Sequence, residues 1–546
     1  MEKSRFTREQ LYNCDKDFLV ELVLGMSSQI QNQSDMLKEL SLKIDVLTEE
    51  LKVSKQRQFG VKSEKGLVDD DQLSMVLSAV LNEAEASIAS AYVIEPAMEQ
   101  AVRSHVRRKK GQREQELKDL PVRIEEHTLG EEELSREFPG GYRRLPDEVY
   151  KKLDYIPARY EVVEHHLAVY KDKKSEKIIK APHPAELFAR SIATPSLLAS
   201  VINGKYVNAL PLYRQEQEFA RNDIMLRRQV LCNWVIKGTE EYLSLLYDRL
   251  HKELLASSVI HADETPVEVA KDGRNAGTKS QMWVYRSGSM CNAPAVILYD
   301  YEKTRSSEHP KKFLGSFSGK VMCDGYQVYR SMEKENTNGL RVHVCWAHAR
   351  RKFAEYVKSM GKDEAKGSVA AQALALIAQI YHEENKLTEV SDEERLDGRQ
   401  KVVRPLCEAF FAWLKTKQDE VVPKTQTGKA ITYCLNQEEY LLRFLEDPQV
   451  PIDNNIAEQS IRPFCIGKNN WKVIDTVAGA QSSAILYSLV ETAKANNLKP
   501  YEYFRHLLTE IPKHADGKSL DFLDDLLPWS ENLPEICRKK NTTETN

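Results

Sequence analysis

No apolar run in this sequence approaches the roughly 20 residues that a bilayer-spanning helix needs. The first stretch, MEKSRFTREQLYNCDKDF, lacks the apolar centre of a secretory signal. The nine cysteines are scattered and odd in number. They form no Cys-x-x-Cys pair, which speaks against a disulfide framework and a zinc ribbon alike. A basic excess is missing too: the net charge is −4 and the isoelectric point is near 6.4. Any nucleic-acid surface must therefore come from local clustering. These absences leave a cytoplasmic protein as the expectation, with an ordinary balance of 41% hydrophobic and 29% charged residues. At 546 residues the chain exceeds one core, and about two to four domains are expected.

What is present first is a helical period. Val23, Met26, Ile30, Gln33, Leu37, Leu40, Ile44, Leu47 and Leu51 fall alternately three and four residues apart, which keeps one seam on one side of a helix. The spacing predicts a coiled-coil or leucine-zipper helix within residues 1–65, pairing two copies through 18–56. A long amphipathic helix packed on its own domain is the alternative. Residues 66–119 read as a helical and basic linker. It contains Arg107, Arg108, Lys109 and Lys110, suited either to DNA phosphates or to solvent. Alternating runs with Pro-Gly-Gly at 139–141 predict a small β-rich domain at 120–188. Residues 189–256 read as short helices broken near Gly204 and Pro211. They carry the pair Arg227 and Arg228, and either a helix-turn-helix or a plain helical subdomain fits.

From residue 257 the texture is α/β, with short apolar runs of buried-strand type as far as about 480. Within this domain, about 365–447 is helical and reads as an insertion. Residues 481–546 form a C-terminal helical region. Among 82 acidic residues, the informative ones close buried strands: Asp263 after VIHA, Asp300 after VILY and Asp324 after VMC. Carboxylates converging from adjacent strands repel unless a cation neutralises them, and hard oxygen ligands favour Mg²⁺ or Mn²⁺. Two such ions, roughly 3.5–4 Å apart, suit phosphodiester chemistry. Taken singly, each Asp is more simply a turn cap. In VPIDNNIAEQSIRPFCIGKNNWKV, Glu458 opens a helix, with Asp453 and Asn454 as capping candidates. Arg462 falls on the same helical face, and Lys468 and Lys472 follow. His343, Cys345 and His348 offer metal-binding atoms without an evident fourth ligand, and Cys345 reads as core. Arg350, Arg351 and Lys352 beside them are candidates for DNA backbone contact.

The strings HADET, CDGYQVY, CWAHARRKF, IDNNIAEQSIRPFCIGKNNW and SSAILYSLVETAKANNLKPYEYFRHLL closely resemble the insertion sequence 66 transposases of bacteria. FGVKSEK and KYVNALPLYRQEQEFAR extend the resemblance, in pieces, over about residues 40–512. It implies a ribonuclease-H-like catalytic domain with a DDE triad, which falls here on Asp263, Asp324 and Glu458 as catalytic and metal-binding residues. It also implies two Mg²⁺ or Mn²⁺ ions, metal-dependent cleavage of transposon ends, and direct strand transfer into target DNA. Asp300 is then a supporting residue. A nucleoid-associated homo-oligomer is implied, with accessory proteins of the same element as further partners. A structure-specific nuclease or recombinase, and a catalytically silent DNA-binding regulator, are the alternatives. The family often carries a cysteine-paired zinc element at the β-rich position. EHHLAVYKDKKSEK has no cysteine there, so no zinc is expected. Gln459 stands where the family pattern continues with Arg, which removes a cation beside the site.

Overall fold

The computed structural model describes residues 15–59, scattered positions between 122 and 182, and residues 186–540 apart from 276, 291–292, 336–338, 361–364 and 515–518. The cluster of Arg107, Arg108, Lys109 and Lys110 lies outside the described residues. The chain forms two compact units, one of Ile94–Pro184 and one of Met1–Val93 with Ala185–Asn546.

In the smaller unit, strands β1 (Val169–Lys171) and β2 (Ile178–Lys180) pair antiparallel, Val169 opposite Lys180. Among the described residues of the alternating run from 158 to 174, β1 forms a strand and those before it do not. Their side chains are nearly all exposed. Alternation that buries no face specifies pairing weakly.

The larger unit begins with helix α1 (Lys16–Phe59). Its predicted seam is exposed along its length: Val23 63%, Ile30 64%, Leu37 69% and Leu47 64%. Near its end α1 packs on described residues of the same unit: Val53 is buried, and Glu49 accepts from the Tyr356 hydroxyl at 2.7 Å. The helical stretch that follows the smaller unit has four α-helices: α2 (Pro195–Ile202), α3 (Leu212–Arg221), α4 (Arg228–Gly238) and α5 (Ser244–Leu255). Thr194 caps α2 by accepting from the Leu197 amide at 3.2 Å.

A six-stranded mixed sheet organises the rest. Its strands are β3 (Val259–Lys271), β4 (Lys279–Ser287), β5 (Ile297–Glu302), β6 (Lys320–Cys323), β7 (Arg341–Val344) and β8 (Ile474–Thr476). The order is β5-β4-β3-β6-β7, with β8 on the far end of β3. β3, β4 and β5 form an antiparallel meander, whereas β6 runs parallel to β3 and β7 parallel to β6. The short helices α6 (Glu308–Leu314) and α7 (Gln327–Glu335) lie between these strands in sequence. Helix α8 (Trp346–Ser359) follows β7.

Cross-strand register assigns each residue to a face, because residues directly opposite one another share it. Asp263, Val284 and Tyr299 form one row; Glu264, Trp283 and Asp300 form the next, on the opposite face. On Asp263's face lie helices α14 (Asn455–Trp471) and α15 (Val477–Ala495), whose Phe464 and Tyr487 pack on Tyr299. On the other face Tyr285 stacks on Phe313 of α6 at 4.0 Å. Helix α15 also satisfies the open edge of β5, which would otherwise leave buried backbone groups unpaired. Ser488 Oγ accepts from the Tyr299 amide at 2.7 Å, and Thr492 Oγ1 both accepts from the Ile297 amide and donates to its carbonyl.

Between α8 and α14 come helices α9 (Val369–Asn385), α10 (Asp392–Gly398), α11 (Arg404–Gln418), α12 (Gln426–Asn436) and α13 (Glu438–Leu442). Trp346 of α8 is fully buried against Phe410, Phe411 and Phe444 of this region. Arg399, also fully buried, pairs with Glu384 and donates to the carbonyls of Phe444, Asp447 and Val450. It thereby fixes the turn that leads into α14. A final helix, α16 (Pro500–Glu510), packs on α2. Among the described residues no helix is long and apolar enough to cross a membrane.

Candidate active site

Asp263 sits within β3, and Asp324 directly follows β6. The parallel pairing of these strands sets Val259 opposite Lys320, Ile260 opposite Val321 and His261 opposite Met322, a constant offset of 61. The same offset separates Asp263 from Asp324, so the sheet carries both acids to one level. Burial pushes the Asp263 carboxyl well above its usual range, and the charges of Glu264, Glu458 and Asp324 add to the shift. Three neighbouring carboxylates thus act on Asp263 across a small space.

Asp324 is held by its own turn and by α12. Its Oδ1 accepts from the Tyr326 amide at 2.9 Å, and its carbonyl accepts from the Tyr433 hydroxyl at 2.7 Å. Gly325 between them has φ +88°, a conformation that disfavours L side chains. A Cβ added there would stand 2.8 Å from the Tyr433 hydroxyl.

Glu458 lies in the first turn of α14 and is 9% exposed. Of the two capping candidates, Asp453 acts at the helix start: it accepts from the Asn455 amide at 3.1 Å and from its side-chain amide at 2.8 Å. Asn454, fully buried, occupies the cap position, but its side chain makes no cap bond. It donates to the Ala262 carbonyl and accepts from His261 Nδ1, both at 2.8 Å, while its amide donates to Cys345 Sγ. Burial holds His261 near pKa 4, so it stays neutral. Asn454 therefore ties the start of α14 to β3 one residue before Asp263, and to the end of β7.

Around Glu458, Arg351 Nη2 lies 2.9 and 2.8 Å from the two carboxylate oxygens, and His348 Nδ1 is 3.5 Å from Oε1. The ligand atoms of Cys345, His348 and Glu458 fall within 4.8 Å of one another. Burial raises the Cys345 thiol well above its ordinary range. On the opposite face of β3, Glu264 is pushed up to about 7 by burial and by Asp324, while it pairs with Arg305. The Arg305 guanidinium lies 4.1 Å above the Tyr326 ring. A pocket of about 380 Å³ opens beside Asp324, bordered by Tyr326, Arg351, Lys352 and Tyr433.

The other candidates are spread more widely. Asp300 faces away from Asp263 by register, toward Tyr247 and Tyr285, and burial raises its carboxyl to about 7. Arg350 is 4% exposed, whereas Arg227 and Arg228 are on the surface. Lys468 donates to the Pro266 carbonyl at 2.9 Å and to Thr265 Oγ1 at 3.3 Å. Arg462 is partly buried on α14, and exposed Lys472 ends that helix with φ +62°. Sequence reasoning passed over Tyr433, Glu264 and Arg305. Tyr433 carries no local signal, since it lies in a helical stretch that reads as an insertion.

The family model described as "Transposase IS66 family" matches residues 190–482, across the whole sheet and all three acids. The chain belongs to the IS66 transposase family. The IS66 C-terminal element matches 488–529, and a model described as "Transposase C of IS166 homeodomain" matches 46–124. Three Sinorhizobium fredii proteins are similar to this IS66 member. Y4jD is 30% identical over 73% of this chain and 78% of its own. Y4qI is 26% identical over 90% of each, and y4hP is 27% identical over 90% of this chain and 88% of its own. Each is described as an uncharacterized protein.

Proposed function

We propose that this IS66 protein is a transposase that cleaves the ends of its element and joins the freed 3′-hydroxyl to target DNA by transesterification. The observation that carries this reading is that parallel strands bring Asp263 and Asp324 to one level, where burial, and then the charges of Glu264, Glu458 and Asp324, raise the Asp263 carboxyl. An antiparallel meander followed by parallel strands, with acids on its central strand and its parallel neighbour, supports a ribonuclease-H-like fold.

The donor set fits Mg²⁺ or Mn²⁺: carboxylate oxygens are hard ligands, and a cation offsets their repulsion. Asp263, Asp324 and Glu458 would hold two such ions, which supply Lewis-acid activation of the attacking hydroxyl and neutralise the phosphate. The chain's own part is positional. Tyr433 and Gly325 fix the Asp324 backbone, and Asn454 fixes the start of α14 relative to β3. Lys352, over the Tyr433 ring at 4.4 Å, gives the pocket a cation suited to DNA phosphate. Arg227, Arg228, Lys468 and Lys472 are further candidates for contact with DNA phosphate, and so, outside the described residues, is the 107–110 cluster. Two copies pair through the α1 seam, whose apolar residues are exposed among the described residues.

The test is cleavage of a labelled duplex carrying an element end, with Mg²⁺. Asp263→Asn or Asp324→Asn is expected to abolish cleavage while duplex binding persists. Full activity in either variant refutes the assignment.

A further inference from the structure

Resting on the reading of Glu458 as a metal-binding carboxylate, we propose that Arg351 and a divalent cation compete for the same two oxygens of Glu458. The displaced guanidinium is then taken up by a DNA phosphate in the adjoining pocket. The geometry is specific. One nitrogen, Nη2, stands 2.9 Å from Oε1 and 2.8 Å from Oε2, so a single atom straddles the carboxylate. A divalent cation drawn to those oxygens would have to take the place that Nη2 occupies, so the two would compete.

The surroundings make the exchange workable. Glu458 and Arg351 side chains are only 11% and 18% exposed, and a carboxylate so enclosed is strongly disfavoured without a cation. One cation must replace another; neither can simply leave. Arg351 also borders the 380 Å³ pocket, together with Asp324, Tyr326, Lys352 and Tyr433. The freed guanidinium therefore has both room and Lys352 as a companion charge. Its planar fork matches phosphate oxygens better than a lysine would. Divalent ion and DNA would then favour each other's binding, because each takes one partner of the ion pair. Arg351 becomes a substrate-facing residue only once Glu458 has another cation.

The experiment measures Mn²⁺ binding to the full chain by the paramagnetic resonance of free Mn²⁺. Arg351→Gln is expected to bind Mn²⁺ about tenfold more tightly than the unaltered protein, within the usual range of site coupling. Cleavage at saturating Mn²⁺ is expected to fall in the same variant. A merely structural role for Arg351 would weaken the ion site, not tighten it. Arg351→Lys keeps the charge that the enclosed carboxylate needs and serves if the Gln variant does not fold; a smaller tightening is expected. Unchanged or weaker Mn²⁺ binding in the folded variant overturns the competition. Asp263→Asn separates the two claims. If it weakens Mn²⁺ binding while Arg351→Gln does not tighten it, only the competition fails. If Asp263→Asn leaves Mn²⁺ binding unchanged, the acidic centre itself is misassigned.

Discussion

Replacing Gly325 with alanine tests how the helices between α8 and α14 hold Asp324. At φ +88° an L residue is strained by roughly 1–2 kcal/mol. The new Cβ would also stand 2.8 Å from the Tyr433 hydroxyl and 3.4 Å from Val344 Cγ1. The valine contact is tolerable, but the hydroxyl must move, and with it goes the 2.7 Å hydrogen bond to the Asp324 carbonyl. That bond is worth about 1 kcal/mol, so Gly325→Ala should destabilise by about 2–3 kcal/mol. Tyr433→Phe removes the same bond alone and should cost about 1 kcal/mol. Because the alanine has already expelled the hydroxyl, Tyr433→Phe should add almost nothing in the Gly325→Ala background. Urea unfolding followed by tryptophan fluorescence reads all four proteins of the cycle. A coupling of about 1 kcal/mol is expected, beyond the roughly 0.3–0.5 kcal/mol scatter of independent sites. Strict additivity would refute the reasoning, since the Cβ and the hydroxyl would then not share one space.

Three further outcomes follow from the geometry. Asp300 has its carboxyl raised from 3.8 to about 7, chiefly by burial, so folding disfavours its charged form. Its contribution is fully present below about pH 3.8 and lost as pH rises through 7; Asp300→Asn should therefore flatten thermal stability over that window, with an upper bound of roughly 4 kcal/mol at pH 8. An unchanged pH slope would sink the claim. Charging the α1 seam with Leu37→Glu and Ile44→Glu should lower the sedimenting mass, and an unaltered mass would show that the seam joins nothing. Arg399→Met leaves Glu384 buried without its cation and removes the guanidinium bonds to the Phe444, Asp447 and Val450 carbonyls, so a loss of about 3–5 kcal/mol is expected in thermal unfolding. A wild-type melting curve would refute that clamp.

The legible parts of this molecule are those whose signal is local. Apolar runs ending in Asp263 and Asp324 mark buried strands, although only Asp324 closes its strand and β3 continues past Asp263 to Lys271; the 61-residue spacing already contains the offset at which β3 and β6 pair. The heptad-like seam marked α1, because a helical period needs no tertiary information. What hid from sequence was pairing over distance. Nothing in VPIDNNIAE says that Asn454 is spent on His261 and Ala262 instead of the helix it precedes. Nothing in CWAHARRKF distinguishes Arg350, which is buried, from Arg351, which grips Glu458 more than a hundred residues onward. Tyr433 was hidden for the same reason: a hydroxyl on a helix has no signature until the loop it anchors is folded beneath it. The helices between α8 and α14 looked like an insertion because their period is that of any helical domain. Their buried side chains show a tighter relation to the centre, for Arg399 fixes the approach to Glu458 and Tyr433 fixes the backbone of Asp324. Two of the three acids are thus held in place by a region that the strand pattern alone would have set aside.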